Sequence, residues 1–391
     1  MHSFATLVLL ALLTACPAPR PPVRPTQPPN QPGTTQPKPG GPLLSWKRVQ
    51  TLADLPAAPA PGTYQVHLID VGTGLAILVR GADFAMLYDG GTNDRGEKPL
   101  RVVAYLAATL GASGDDLCVD DGAAAPTTRV PLNHVVLSHP HLDHASALDL
   151  VVHCYDVANF WDSGGINETV FYRELLAAIA RSTITAYRTA ASPATDRAIA
   201  VKGATIAMPR WDSFGEGDAV KLGEAAKFTI LHAEGKKLGD WNQNSIVLAV
   251  ELGGAKLLLV GDAESGDRKD PSYPVGDVEE HLVERHADAI RSDILQVGHH
   301  GSKTSSRRQF LEAVRPRIAL VSTGPTMYGK VTLPDVEVIE ELGRVGATIL
   351  RTDEHDASCP VTGRIGGDDG PGGCDSWVIT IAPAPPVPGS P

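Results

Sequence analysis

Between residues 62 and 382, short apolar, β-branched runs alternate with amphipathic stretches. The runs at 64–69, 75–80, 84–88, 134–137, 228–231, 246–250, 256–260, 294–297 and 318–321 are each bounded by Gly, Asp or Asn, and they read as strands. Pro99 opens a helical pattern that stops at Gly111, the usual asymmetry of Pro at the start and Gly after the end. Phe171, Leu175, Leu176 and Ile179 form a stripe at helical spacing, as do Val336, Ile339, Leu342 and Val345. Such stripes face a core. The order is a run of strands, a helix, a strand, a loop and a helix, and later the same again. Hairpin-rich sheets with helices outside predict an α/β fold in four layers, αββα, which gives one body over 62–382 enough interior.

The ends follow a different pattern. Residues 4–16 are an apolar stretch, short for a bilayer span and suited to the core of an export signal. Leu13-Thr14-Ala15-Cys16 resembles the bacterial lipobox, in which the cysteine is lipidated and becomes the new N-terminus. That resemblance implies a signal peptide over 1–15 and a lipid anchor on Cys16, hence an exported lipoprotein on the outer membrane or cell surface. Residues 16–42 are rich in Pro, Gly, Thr and Gln, bury too little to fold, and are expected to form an extended tether. Residues 383–391 read as a disordered tail.

Four cysteines follow Cys16, an even number that favours disulfides in an exported protein. Cys359 and Cys374 flank a Gly-rich loop at 363–370 and are expected to pair, leaving Cys118 with Cys154. The formal net charge is −11, and Arg20, Arg24 and Lys38 lie in the tether, so the body is more acidic still. An acidic body disfavours nucleic acid as a partner.

The chemistry concentrates in one run. His139, His141, Asp143 and His144 place four potential metal ligands within six residues, enough for two neighbouring divalent cations. Farther on, an apolar strand enters Gly261 and then Asp262, an acid placed to bridge two cations. Another strand ends in His299 and His300, followed by Gly-Ser. Asp89, ending a third strand before Gly90-Gly91, is expected to hydrogen-bond the histidine loop.

Together these residues resemble the metallo-β-lactamase superfamily, and more narrowly the metallo-hydrolase domain of ComEC-type competence proteins and their stand-alone relatives. The resemblance runs from Val66 to about Asp353 and includes Asn242-Gln243-Asn244-Ser245. It implies a metallo-β-lactamase-like αββα sandwich binding two divalent ions, with zinc expected ahead of manganese. His139 and His141 would hold the first metal, Asp143 and His144 the second, with Asp262 bridging. One of His299 and His300 would complete the second site while the other faces substrate. The chain has no Gly-His-Thr stretch to supply a third histidine, and Asn244 stands about where a weaker ligand would replace it. The implied activity is hydrolysis by a metal-activated hydroxide that Asp143 orients, acting on a phosphodiester in a small molecule or polymer. A β-lactamase or lactonase, or a non-catalytic surface binding protein, would share the scaffold.

Two departures stand out: Gly72-Thr73-Gly74 where the subgroup has Gly-Gln-Gly-Asp, and Tyr328-Gly329-Lys330 where it has Gly-His-Pro. The other histidines read blandly. His281 and His286 lie on a charged, solvated helical pattern over 277–291, His67 and His134 within strands, and His153 near a helix end.

Overall fold

In the computed structural model, which describes residues 32–34, 41–92, 101–119, 125–126, 128–236, 238–355, 365 and 373–383, the apolar runs pair into two large sheets. The first has ten strands, in spatial order Gly33–Thr34, Leu43–Val49, Ser376–Ala382, Tyr64–Leu68, Ile77–Arg80, Ala85–Tyr88, Pro131–Leu137, Asp156–Asp162, Ala186–Thr189 and Trp211–Ser213. The second has seven: Ala219–Gly223, Ala226–His232, Val247–Leu252, Ala255–Leu259, Ile294–Gln296, Ile318–Val321 and Thr348–Arg351. Each sheet begins with antiparallel hairpins and turns parallel part-way, at Ala85–Tyr88 against Pro131–Leu137 and at Ala255–Leu259 against Ile294–Gln296.

Strand periodicity sorts the apolar side chains into layers. Val66, Leu68, Ile77 and Val79 meet Phe228, Leu248, Leu257 and Leu259 between the sheets. Leu78, Leu87 and Val135 on the opposite face pack under helices Arg101–Leu110, Leu148–Cys154 and Val170–Arg181. Leu258 and Leu295 on the outer face of the second sheet pack under Asp277–Arg285, Arg308–Val314 and Val336–Arg344. The result is the αββα sandwich.

The folded body starts earlier than the expected residue 62. Leu43–Val49 adds to the first sheet by pairing with Ser376–Ala382, and even Gly33–Thr34, within the expected tether, pairs with it. Leu44 and Val49 are buried, but Ser45, Lys47 and Arg48 between them hide the strand from a search for apolar runs. Cys118 and Cys154 form a disulfide linking the turn after Arg101–Leu110 to the end of Leu148–Cys154. Cys374 is also disulfide-bonded, while its expected partner Cys359, like the signal segment, Cys16 and the tail from 384, lies outside the described residues. Among the described residues no helix is long and apolar enough to cross a membrane.

Candidate metal centre

Four segments deliver the site, each from the carboxyl end of a strand, where open α/β sheets place their ligands. Asp89 follows Ala85–Tyr88, the histidine run follows Pro131–Leu137, Asp262 follows Ala255–Leu259, and His299 and His300 follow Ile294–Gln296. Glycines let these segments touch. A Cβ on Gly91 would lie 2.1 Å from the Asp143 carbonyl carbon and 2.2 Å from the His144 nitrogen. Asp89, His299 and His300 sit at φ of 58°, 46° and 54°, a left-handed conformation that non-glycine residues adopt at a cost and that clusters at functional sites.

Hydrogen bonds behind the rings decide which nitrogen faces inward. The Nδ1–H of His144 donates to Asp89 Oδ2 at 2.8 Å, and that of His300 to the Ser322 carbonyl at 2.9 Å. Ser138 Oγ gives its proton to Asp89 and so accepts from His139 Nδ1 at 3.1 Å. Each ring therefore turns its Nε2, the atom that would ligate a metal, to the interior. Those atoms converge on acids: from Asp262 Oδ2, His144 Nε2 stands at 3.2 Å, His300 Nε2 at 3.7 Å and His139 Nε2 at 3.9 Å. His300 Nε2 is also 3.5 Å from Asp143 Oδ2. Nε2 of His144, Nε2 of His300 and Oδ1 of Asp262 are buried without a hydrogen-bond partner. Buried polar atoms of this kind are costly unless something fills the space between them.

The electrostatics agree. Burial alone would raise the carboxyls of Asp143 and Asp262, but His300 and His144 hold the first, and His144, His300 and His299 the second, well below the ordinary carboxylate range. Burial and the neighbouring His144 keep the His139 ring well below the usual imidazole value, hence neutral and basic at Nε2. For His144, burial opposes charging, yet Asp262 and Asp89 outweigh it and raise the ring well above that value. A proton on His144 there does the work of a cation, and a divalent ion would release it. The donors form two overlapping sets, His139 with His144 and Asp262, and Asp143 with His144 and His300, each within 4.8 Å. His141 stands beside the first, its Nδ1 3.0 Å from His139 Nε2. This donor set fits divalent cations.

The paired histidines differ in position. His300 Nε2 approaches both Asp143 and Asp262, whereas His299 Nε2 lies 3.9 Å from Asp262 Oδ2, its Nδ1 sits 2.7 Å from Glu264 Oε1 and 2.8 Å from Thr304 Oγ1, and its ring is partly exposed. Asn244 is the correction. Its Oδ1 accepts from Leu238 N–H and its Nδ2 donates to the Glu234 and Lys236 carbonyls, so the carboxamide braces the 234–238 loop. Ser245 takes the inner place, with Oγ 3.4 Å from His139 Nδ1 and accepting the Asp262 N–H at 3.0 Å. Three contributors were not read from the sequence: Ser245, Glu264, and Tyr328, whose hydroxyl donates to Asp143 Oδ2 at 2.6 Å. Tyr328 at least lay in a stretch marked as a departure.

Residues 69–197 match the model of the metallo-beta-lactamase superfamily. Over these residues the chain is similar to that superfamily. Members are generally hydrolases and bind divalent metals, often as a dinuclear zinc or iron pair. The chain is 26% identical over 292 residues to Recombination protein 2 of Haemophilus influenzae, covering 74% of its own length and 28% of that protein. It is 29% identical over 292 residues to Competence protein ComA of Neisseria gonorrhoeae, covering 74% and 31%. The chain thus spans under a third of the length of these curated relatives. Among solved structures it is similar to the metallo-beta-lactamase fold protein YhfI of Bacillus subtilis, at 13% identity and a TM-score of 0.41, covering 74% of this chain and 95% of that one. Asp262, His299 and His300 come from beyond the matched residues.

Proposed function

We propose that this chain is a metal-dependent hydrolase of phosphodiesters, with two divalent cations held between residues of both sheets, zinc ahead of manganese. One observation carries the reading: three imidazoles, their Nδ1 atoms already committed, aim their Nε2 atoms at two carboxylates in a buried space. When bound, such cations supply Lewis-acid polarisation of a substrate oxygen and acidify water. The chain's own groups do the rest. Asp143, steadied by the Tyr328 hydroxyl, accepts a hydrogen bond from the nucleophile and so orients it. His299 holds a proton for the leaving group at Nε2, since burial disfavours its charge but Asp262 and Glu264 outweigh that and raise its pKa.

Relatives named for recombination and competence support a diester target, while the net charge of −11 disfavours a long polyanion. Assayed side by side, bis(p-nitrophenyl) phosphate is expected to be turned over and nitrocefin not. Lactam turnover without diester turnover would reverse the assignment. Fewer than one metal per chain at saturation, by elemental analysis, would favour a non-catalytic binding protein. For the lipid anchor, Cys16→Ser is expected to move the protein from the membrane to the soluble fraction, and unchanged fractionation would refute the anchor.

A further inference from the structure

Helix Asp277–Arg285 and the His286 that caps it carry two histidines with no part in the centre just described. The structure turns both onto one carboxylate. His281 Nε2 lies 2.9 Å from Glu216 Oε2, and His286 Nε2 lies 2.9 Å from Glu216 Oε1. The two rings are 5.4 Å apart, and the three donors lie within 4.8 Å of one another. His232, ending strand Ala226–His232, packs its ring 5.6 Å from that of His281. Glu216 comes from the link at 214–218 that leaves the last strand of the first sheet, Trp211–Ser213, and enters the first strand of the second, Ala219–Gly223.

Hydrogen bonding alone accounts poorly for this arrangement. All three side chains are partly exposed, so water would satisfy each separately. Holding three flexible side chains in one place at the surface costs conformational entropy, and exposed ion pairs offset little of it. No lysine or arginine pairs with Glu216 among the described residues. Two imidazoles and a carboxylate are, however, a donor set that zinc takes with three protein ligands, keeping a fourth position for water.

We propose that Glu216, His281 and His286 form a peripheral site for a borderline divalent ion of the zinc class. The ion clips the crossover between the sheets to the helix. That helix also carries Glu279, whose carboxyl accepts from Ser306 N–H, Arg307 N–H and Ser265 Oγ–H just beyond His300. The clip is structural, and it goes beyond the hydrolytic reading without depending on it.

Zinc itself is the probe, on the full chain. Asp262→Ala cripples the main centre, and zinc binding to that protein is compared with the same background carrying His281→Gln and His286→Gln. One zinc equivalent per chain is expected to vanish with the two histidines, together with the zinc-dependent rise in Tm. Equal stoichiometry and an equal rise in both proteins overturn the proposal. Glu216→Gln keeps both rings and a hydrogen-bonding partner but removes the anionic donor, which covers the case in which the double variant fails to fold. It is expected to lose the same equivalent, and wild-type retention overturns the proposal. With Asp262 intact, His281→Gln with His286→Gln leaves diester turnover unchanged, so the clip and the hydrolase fail or succeed separately.

Discussion

Between the sheets, His139, His144 and His300 are fully or almost fully buried, and each has its Nδ1 bonded to Ser138, Asp89 or the Ser322 carbonyl. On the outer helix, His281 and His286 bond Glu216 directly and stay partly exposed. The residue types are the same and the environments differ. In the first cluster the fold has selected the tautomer and removed water, so lone pairs and carboxylates confront one another at full strength. In the second, solvent weakens each interaction, and His232 packs edge-on against the His281 ring. The contrast locates reactivity in the supporting bonds and the burial more than in the histidines themselves.

The sharpest way to break the contrast is Asp262→Ala. It removes the carboxylate that four Nε2 atoms face, and kcat/KM for a diester is expected to fall by about 10³-fold or more, with metal lost from the buried centre. His299→Gln comes next. As the proton holder outside the ligand sets, it is expected to lower kcat by roughly 10²-fold with metal content intact, and lost metal would show that His299 is a ligand instead. Asp89→Asn leaves every inward donor in place and changes what stands behind His144 and, through Ser138, behind His139. Metal affinity, read from competition with a chelator, is expected to weaken by about 10- to 100-fold. Unaltered affinity would mean that the supporting bonds matter less than the contrast implies.

The smallest effect concerns Glu279, on the helix that carries His281. Burial pushes its carboxyl up to about 7, against hydrogen bonds from Ser265, Arg307 and Ser306 that pull it down. The folded state thus holds a proton that the unfolded chain, near the ordinary glutamate value of 4.5, has released. That contribution is complete below the unfolded value and is lost as pH rises through the folded one. Between about pH 5 and pH 8 the Tm of the wild type is expected to decline more than that of Glu279→Gln, and parallel slopes would exclude the effect.

Much of this was legible because the ligands are local in sequence. His139 to His144 are contiguous, and Asp262 and the 299–300 pair each follow an apolar strand through a glycine. The nine apolar runs coincide with central strands because burial on both faces leaves them almost continuously hydrophobic. Strands with polar or charged positions, such as Leu43–Val49 and Ala219–Gly223, escaped for the opposite reason. Long-range pairings carry no local mark: Tyr328 meets Asp143 across 185 residues, and Glu216 meets His281 across 65. Asn244 misled because adjacent side chains in a short turn point apart, and only the fold reveals that Ser245 faces inward while its neighbour supports a loop.

The glycines under the ligand loop also divide the site by how freely it can evolve. A methyl group at 74 would sit 2.3 Å from the Gly91 carbonyl oxygen, and one at 91 would drive into the chain at 143–144. Neither position tolerates even alanine without displacing the ligands above it. The segment from Pro325 to Val331 includes Thr326, Met327, Gly329 and Lys330, whose side chains or backbone reach solvent, and it contributes Tyr328 to the opposite side of the same centre. A lineage seeking new substrates would therefore keep the floor monomorphic and diversify the roof, and a mutant library aimed at altered selectivity should be drawn the same way.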